Sequence, residues 1–195
     1  MVTVSDGVGN SSACTTNVNV ADQTPPVITC PPNQTAVAGL NLQAAVNVGT
    51  ATATDNCQSP VSVMGTRSDG PSKPLTDPYP VGATTIVWKA ADGSNITTCP
   101  QTITVLSPQG ATQRISDNVT ALVNQGVLNQ GQGNALLVKL QAAIESLNKG
   151  TTNAACGQLQ AFISQVETSI GGPLTPAQGQ QLIDAATTVR NALGC

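Results

Sequence analysis

Histidine is absent from all 195 residues, and charge and aromatic rings are scarce: 9% of the chain is charged and 2% aromatic. Each shortage removes a class of function. Without His there is no Ser-His-Asp or Cys-His arrangement to activate a nucleophile, and no imidazole for a zinc site. None of the six Cys falls in a C-x-x-C pair, so a structural metal site is not expected. Seven basic residues against ten acidic ones leave a net charge of −3. No Lys/Arg cluster exists to neutralise phosphates, which excludes nucleic acid and attachment to a membrane surface through basic residues. With one Trp, one Tyr and one Phe, a row of sugar-stacking platforms is not expected. Trp88 lies in a β-branched run and reads as core.

The remaining routes to chemistry are equally thin. Asp55, Asp69, Asp77 and Asp92 read as turn and strand-end residues rather than as an acid–base pair. The Gly-rich GQGN lacks the strand, Lys and hydroxyl of a phosphate loop. Asn-x-Ser/Thr at Asn10, Asn33, Asn95 and Asn118 reads as chance in a chain this rich in Asn and Thr. The chain is expected not to be an enzyme. It also has no long apolar run, so no membrane insertion is expected, and its opening residues carry neither the basic nor the apolar part of a signal peptide. Widely spaced Cys in a Thr/Asn-rich chain nevertheless read as disulfides, hence an oxidising compartment. Both observations fit a piece of a longer exported protein whose signal lies upstream.

An internal repeat organises the first half. Val2 to Val20 matches Ile86 to Val105, with Asp6-Gly7 over Asp92-Gly93, Asn10 over Asn95, Cys14 over Cys99, and Val18/Val20 over Ile103/Val105. Each copy reads as a hairpin, alternating apolar residues on both sides of a Gly/Asn turn. Residues 1–21 therefore look like the last hairpin of a preceding repeat. Between the copies, short runs at Val27-Ile28, Val37, Leu40/Leu42, Ala44/Val46/Val48 and Val61/Val63 are punctuated by Gly, Pro, Asn and Asp, as in a sandwich. The stretch DQTPPVITCP (residues 22–31) is the joint. Pro25-Pro26 stiffens it and restricts Thr24 to extended geometry.

After residue 107 the period changes. Ile115, Val119, Leu122 and Val123 share one helical face. Leu136, Leu140, Ile144 and Leu147 form a second, Leu159, Phe162, Ile163, Val166 and Ile170 a third, and Leu182, Ala186, Val189 and Leu193 a fourth. Thr175-Pro176-Ala177-Gln178 reads as a capping box with Pro at the first helical position. The expected architecture is two-domain: an all-β immunoglobulin-like sandwich over 22–107, a linker over 108–114, and an all-α four-helix bundle over 115–195. A bundle this small has a marginal core. Cys156 in the first turn of the third helix and Cys195 after the fourth would meet in an antiparallel hairpin, so a bond between them is expected.

DQTPPVITCP, ATDNC (53–57), YPVGATTIVW (79–88) and ADGSN with Cys99 and TITV together resemble the hyalin repeat, or HYR domain. That resemblance implies an immunoglobulin-like sandwich, found in tandem in secreted and cell-surface proteins and associated with adhesion. With the strand order, it implies a Cys30–Cys99 bond. Cys14 would then have bonded a Cys in the body of its own repeat. Cys57 lacks the partner that many copies carry in the segment occupied here by GLNLQAAV. Cys14 and Cys57 are left either free or bonded to each other. The helical half resembles the FIMAH domain, a small bacterial module at the C-termini of secreted and surface proteins. Its carrying residues are KL-x-x-A, LQAFI-x-x-V and LT-x-x-x-x-x-LI-x-x-A.

The expected function is thus a non-catalytic modular region of a secreted or cell-surface bacterial protein, serving adhesion, scaffolding or display. The alternative is an accessory substrate-binding or localisation region of a secreted hydrolase. No cofactor is expected. Asp6, Asp22, Asp55 and Asp92 recur at domain ends, where Ca²⁺ can rigidify a joint, and are the weak metal candidates. The partner would be a protein or a surface polysaccharide, with further repeats upstream.

Overall fold

The computed structural model describes residues 1–57 and 60–195. Its N-terminal half grows from one long hairpin. β9 (Gly82–Ala91) and β10 (Ile96–Leu106) pair antiparallel from Ile96↔Ala91 to Val105↔Gly82. Strict alternation turns Ile86, Trp88 and Ala90 of β9, and Gln101, Ile103 and Val105 of β10, inward. β7 (Ser62–Arg67) joins β9 antiparallel and β4 (Gln34–Val37) joins β10 parallel, giving the sheet order β4-β10-β9-β7. Facing it are two short ladders: β3 (Val27–Thr29) with β6 (Thr52–Thr54), and β5 (Gln43–Ala44) with β8 (Tyr79–Pro80). Ala38, Val48, Tyr79, Ile86, Trp88, Ile103 and Val105 fill the space between. The Cys30–Cys99 disulfide, with a Cα–Cα distance of 6.0 Å, ties the end of β3 to the hairpin.

The hairpin is repeated at the N-terminus. β1 (Val2–Ser5) and β2 (Ser11–Cys14) pair with Val2↔Cys14 and Ser5↔Ser11, the same register as Trp88↔Cys99 and Ala91↔Ile96. All of it is exposed. One expectation fails between the repeats. Leu40 and Leu42 are not strand residues but lie exposed in a turn, with Leu42 at φ 58°. The Asn41 carboxamide accepts from the Gln43 amide and closes the chain on itself, so the apolar alternation there is a coincidence of turn residues.

The second half is four helices: α1 (Pro108–Asn124), α2 (Gln130–Asn148), α3 (Thr152–Ser169) and α4 (Pro176–Leu193). They form a closed ring in which α1 touches α2 and α4, and α3 touches α2 and α4. The expected apolar faces meet in one core around Ile115, Val119, Leu136, Leu140, Leu159, Phe162, Val166, Leu182 and Val189. Capping boxes start α2 at Asn129/Gln132 and α4 at Thr175/Gln178. Gly133 lets α2 close on α1, because a Cβ there would run into the Val123 side chain. Cys156 and Cys195 are bonded across the α3–α4 pair, with Cα atoms 6.1 Å apart.

The linker expected over 108–114 does not exist. Those residues are the first two turns of α1. Ser107 is the N-cap, its hydroxyl accepting from the Gly110 amide, and Pro108 supplies the pre-set φ of the first helical position. Proline and glycine so close together suggest a break in the sequence, whereas Pro108 here initiates a helix. β10 thus runs into α1 through a single residue. Leu106 and Val37 pack against the helical core, so the two halves share a seam.

Among the described residues, no helix is long and apolar enough to cross a membrane.

Candidate functional site

Among the described residues, two places gather side chains that could act on something else: the pole at the sandwich's N-terminal end, and a cleft on its open edge.

At the pole, the chain enters the sandwich against the tip of the β9–β10 hairpin. Asp92 Oδ1 accepts from the Ser94 and Asn95 amides at 2.7 and 2.6 Å, which holds its carboxyl below the ordinary value, the Asn95 amide contributing most. Asn95 Nδ2 in turn donates to Asp92 Oδ2 and to the carbonyls of Asp22 and Thr24 at 3.3 and 3.4 Å. The hairpin tip therefore clasps the joint. Asp22, Asp55 and Cys57 converge there, each offering a ligand atom within 4.8 Å of the others. Asp22 Oδ1 also accepts from the Thr24 amide and Asp55 Oδ1 from the Cys57 amide, the ordinary turn use of Asp.

Of the four weak Ca²⁺ candidates, Asp22 and Asp55 are neighbours, and Asp92 is near enough for its charge to act on the Cys57 thiol. Asp6 is elsewhere, in the exposed turn between β1 and β2. It makes the same clasp as Asp92, with the Asn10 side chain as the largest cause of its lowered pKa. Two carboxylates and a thiol fall short of the six to eight oxygens that Ca²⁺ takes. Desolvation, followed by the charge of Asp22, pushes the Cys57 thiol up, the opposite of an activated nucleophile. Cys14 and Cys57 are both free and exposed.

The second place is a cleft of about 740 Å³ between the β7 edge of the sheet and the segment 45–50, floored by Trp88 and walled on the far side by Leu75 and Thr76. Among the described residues, no ionisable side chain lines it. Gly65 is required in it: a Cβ would stand 2.9 Å from Leu75 Cδ1 and 3.0 Å from the Trp88 ring.

Two buried polar side chains set the walls. Trp88 Nε1 donates to Gln101 Oε1 at 3.0 Å, and Gln101 Nε2 donates to Pro32 O and Val48 O at 2.7 and 2.9 Å. One carboxamide therefore fixes the floor and the 45–50 wall together. On the other side Arg67, 1% exposed, lies 3.7 Å from the centroid of the Tyr79 ring. Its Nε and Nη2 meet the Asp69 carboxylate at 2.8 Å each, and Nη1 and Nη2 donate to the carbonyls of Pro74, Asp77 and Pro78. The loop carrying Leu75 is thus wrapped around a guanidinium. Hydrogen bonding to Arg67 lowers the Asp69 pKa to about 2, as expected of a charge paired on both sides. Sequence reasoning missed Gln101 and named Asp69 only as a turn residue. The available signal was phase: Arg67 and Gln101 occupy inward positions of alternating strands, where a polar residue requires buried partners.

No curated protein and no solved structure matches the chain. Its two halves are identified separately: residues 21–105 match the family model of the HYR domain and residues 112–191 that of the FIMAH domain, so the chain carries one of each, in that order.

Proposed function

We propose that the chain is a non-catalytic structural segment of a secreted or cell-surface bacterial protein, an adhesive or scaffolding stalk that holds out a terminal helical bundle. HYR and FIMAH are modular, non-enzymatic domain families associated with adhesion and with extracellular proteins. Two disulfides fit an oxidising location. The observation that carries the reading is the seam. A sandwich that passes into a helix through Ser107 alone, with Leu106 and Val37 packed against the bundle core, presents the bundle at a fixed attitude rather than on a tether. The Asn95 clasp on the joint serves the same end at the other pole. The repeated hairpin of residues 1–21 supports further sandwich repeats upstream. The partner is a protein or a surface polysaccharide.

Cys57 supplies the test, being free and exposed. On intact cells making the parent protein, a membrane-impermeant maleimide should label this segment. Labelling that appears only after lysis would sink the surface reading. Attachment of those cells should fall when the segment is deleted, and a glycan array would separate polysaccharide from protein as the partner.

A further inference from the structure

The two edges of the four-stranded sheet are treated differently. β4 is flanked by α4. β7, the other outermost strand, has no strand beside it among the described residues. The Ser68 amide donates to Thr85 O on β9, so by alternation the N–H and C=O groups of Val63, Gly65 and Arg67 point to the open side. Sheets guard such edges with Lys, Pro, a bulge or an inward charge. β7 reads Ser-Val-Met-Gly-Thr-Arg and pairs with β9 without a bulge. Its one charge sits at the strand's end, held by Asp69 and three carbonyls.

The edge is also apolar on both faces. Met64 and Val87, on the outward face, are 67% and 44% exposed. On the inward face Val63 and Leu75 border the cleft. The strand runs along the flank of the sandwich, whereas the joint and the bundle take its two ends. Moreover, it is complementary to itself. A single antiparallel register sets all three open residues of two copies opposite one another: Val63 against the partner's Arg67, and Gly65 against the partner's Gly65. That register forms about six backbone hydrogen bonds. Its two-fold axis falls on the one residue without a side chain.

We propose that β7 is a homotypic edge: two copies of this chain pair β7 with β7 antiparallel about Gly65, joining their sheets into one and closing each cleft against the other. Leu75, whose Cδ1 fills the space within 2.9 Å of a Gly65 Cβ, then meets the partner's Leu75 beneath the axis. On the outer face Met64 falls opposite the partner's Thr66, in a non-hydrogen-bonded pair where side chains approach closest. A second copy is the occupant because backbone groups, the glycine at the axis and apolar residues all match themselves under one two-fold. This goes beyond display by naming a partner. Failure of association would leave surface location untouched, and a protein found inside the cell would leave association untouched.

The test uses the full chain carrying Cys14→Ser and Cys57→Ser, with both disulfides intact. In sedimentation velocity over rising concentration, a reversible monomer–dimer equilibrium is expected. Met64→Lys/Thr66→Lys sets like charges opposite one another across the axis and should weaken it at least about tenfold. Met64→Glu/Thr66→Glu should do the same. An equimolar mixture of the two should regain association, because each lysine then faces a glutamate. Both replaced side chains are exposed, and thermal unfolding in dilute monomer checks that each variant is folded. Oxidation reads the register. Met64→Cys mixed with Thr66→Cys should give a disulfide-linked dimer. Met64→Cys alone should not, because the equivalent position of the partner lies about 8 Å away. A monomer at every concentration would overturn the proposal. So would a dimer that both charged variants leave unchanged, a mixture that stays monomeric, or a disulfide formed as readily by Met64→Cys alone.

Discussion

The hairpin β1–β2 and the hairpin β9–β10 are the same local object in two surroundings. Both are closed by an Asp whose carboxylate takes the amides of the turn and an Asn that returns its carboxamide. They share a register down to the Cys. Yet one is exposed along its length and the other is the spine of a sandwich. Register and turn are therefore set by sequence-local chemistry, whereas burial depends on what the rest of the chain brings. The clasp specifies a hairpin without stabilising a domain.

The Cys pair separates the two copies most strongly. Replacing Cys30 and Cys99 by Ser opens a loop of 69 residues, which in the chain-entropy account costs about 4 kcal/mol. Cys14→Ser, at the equivalent position of the free hairpin, should cost nothing measurable. Urea unfolding followed by the single Trp, which sits opposite Cys99, reads the sandwich directly. Equal effects of the two substitutions would mean that Cys14 has a structural partner.

Side-chain packing gives the next contrast. Ile103→Ala removes a fully buried side chain and should cost about 2–5 kcal/mol by the same measurement. Val18→Ala, its counterpart in the repeat, should stay within about 0.5 kcal/mol in dilute monomer. A large loss at Val18 would show that residues 15–21 are packed within their own molecule.

How much of this was legible varies with the range of the interaction. Helical periods and caps are local, so the four helical faces and the Thr175 capping box could be read off directly. The repeat exposed the two hairpins and their shared turn. The junction was not legible, because Ser-Pro-Gln-Gly is ambiguous until the packing of Leu106 decides that Pro108 begins a helix. At the pole, Asp22, Asp55 and Asp92 were named from sequence, but the arrival of Cys57 among them is a product of the fold. The cleft was hidden for the same reason. Gln101 reaches Val48 O and Pro32 O across 53 and 69 residues, and no pattern in a window of the sequence carries that.

The smallest contrast concerns the clasps themselves. Asp6 and Asp92 both titrate below the ordinary 3.8, but for different leading reasons: the side chain of Asn10 for the first, the backbone amide of Asn95 for the second. Asn10→Ala should therefore move Asp6 back toward 3.8, while Asn95→Ala should move Asp92 less, since the amide survives the substitution. Carboxyl-carbon NMR titration measures both. The sign of the linkage is the same in each copy: a carboxyl with a lowered folded pKa contributes stability above 3.8, and that contribution is lost as the pH falls through the folded value. In β9–β10 the loss acts on the sandwich, because Asn95 also holds Asp22 and Thr24. In β1–β2 it loosens only the turn. Acid should therefore fray the first hairpin without changing Trp88 emission, and should change that emission when the second clasp opens. A single transition shared by both hairpins would mean that they are not independent copies but one packed unit.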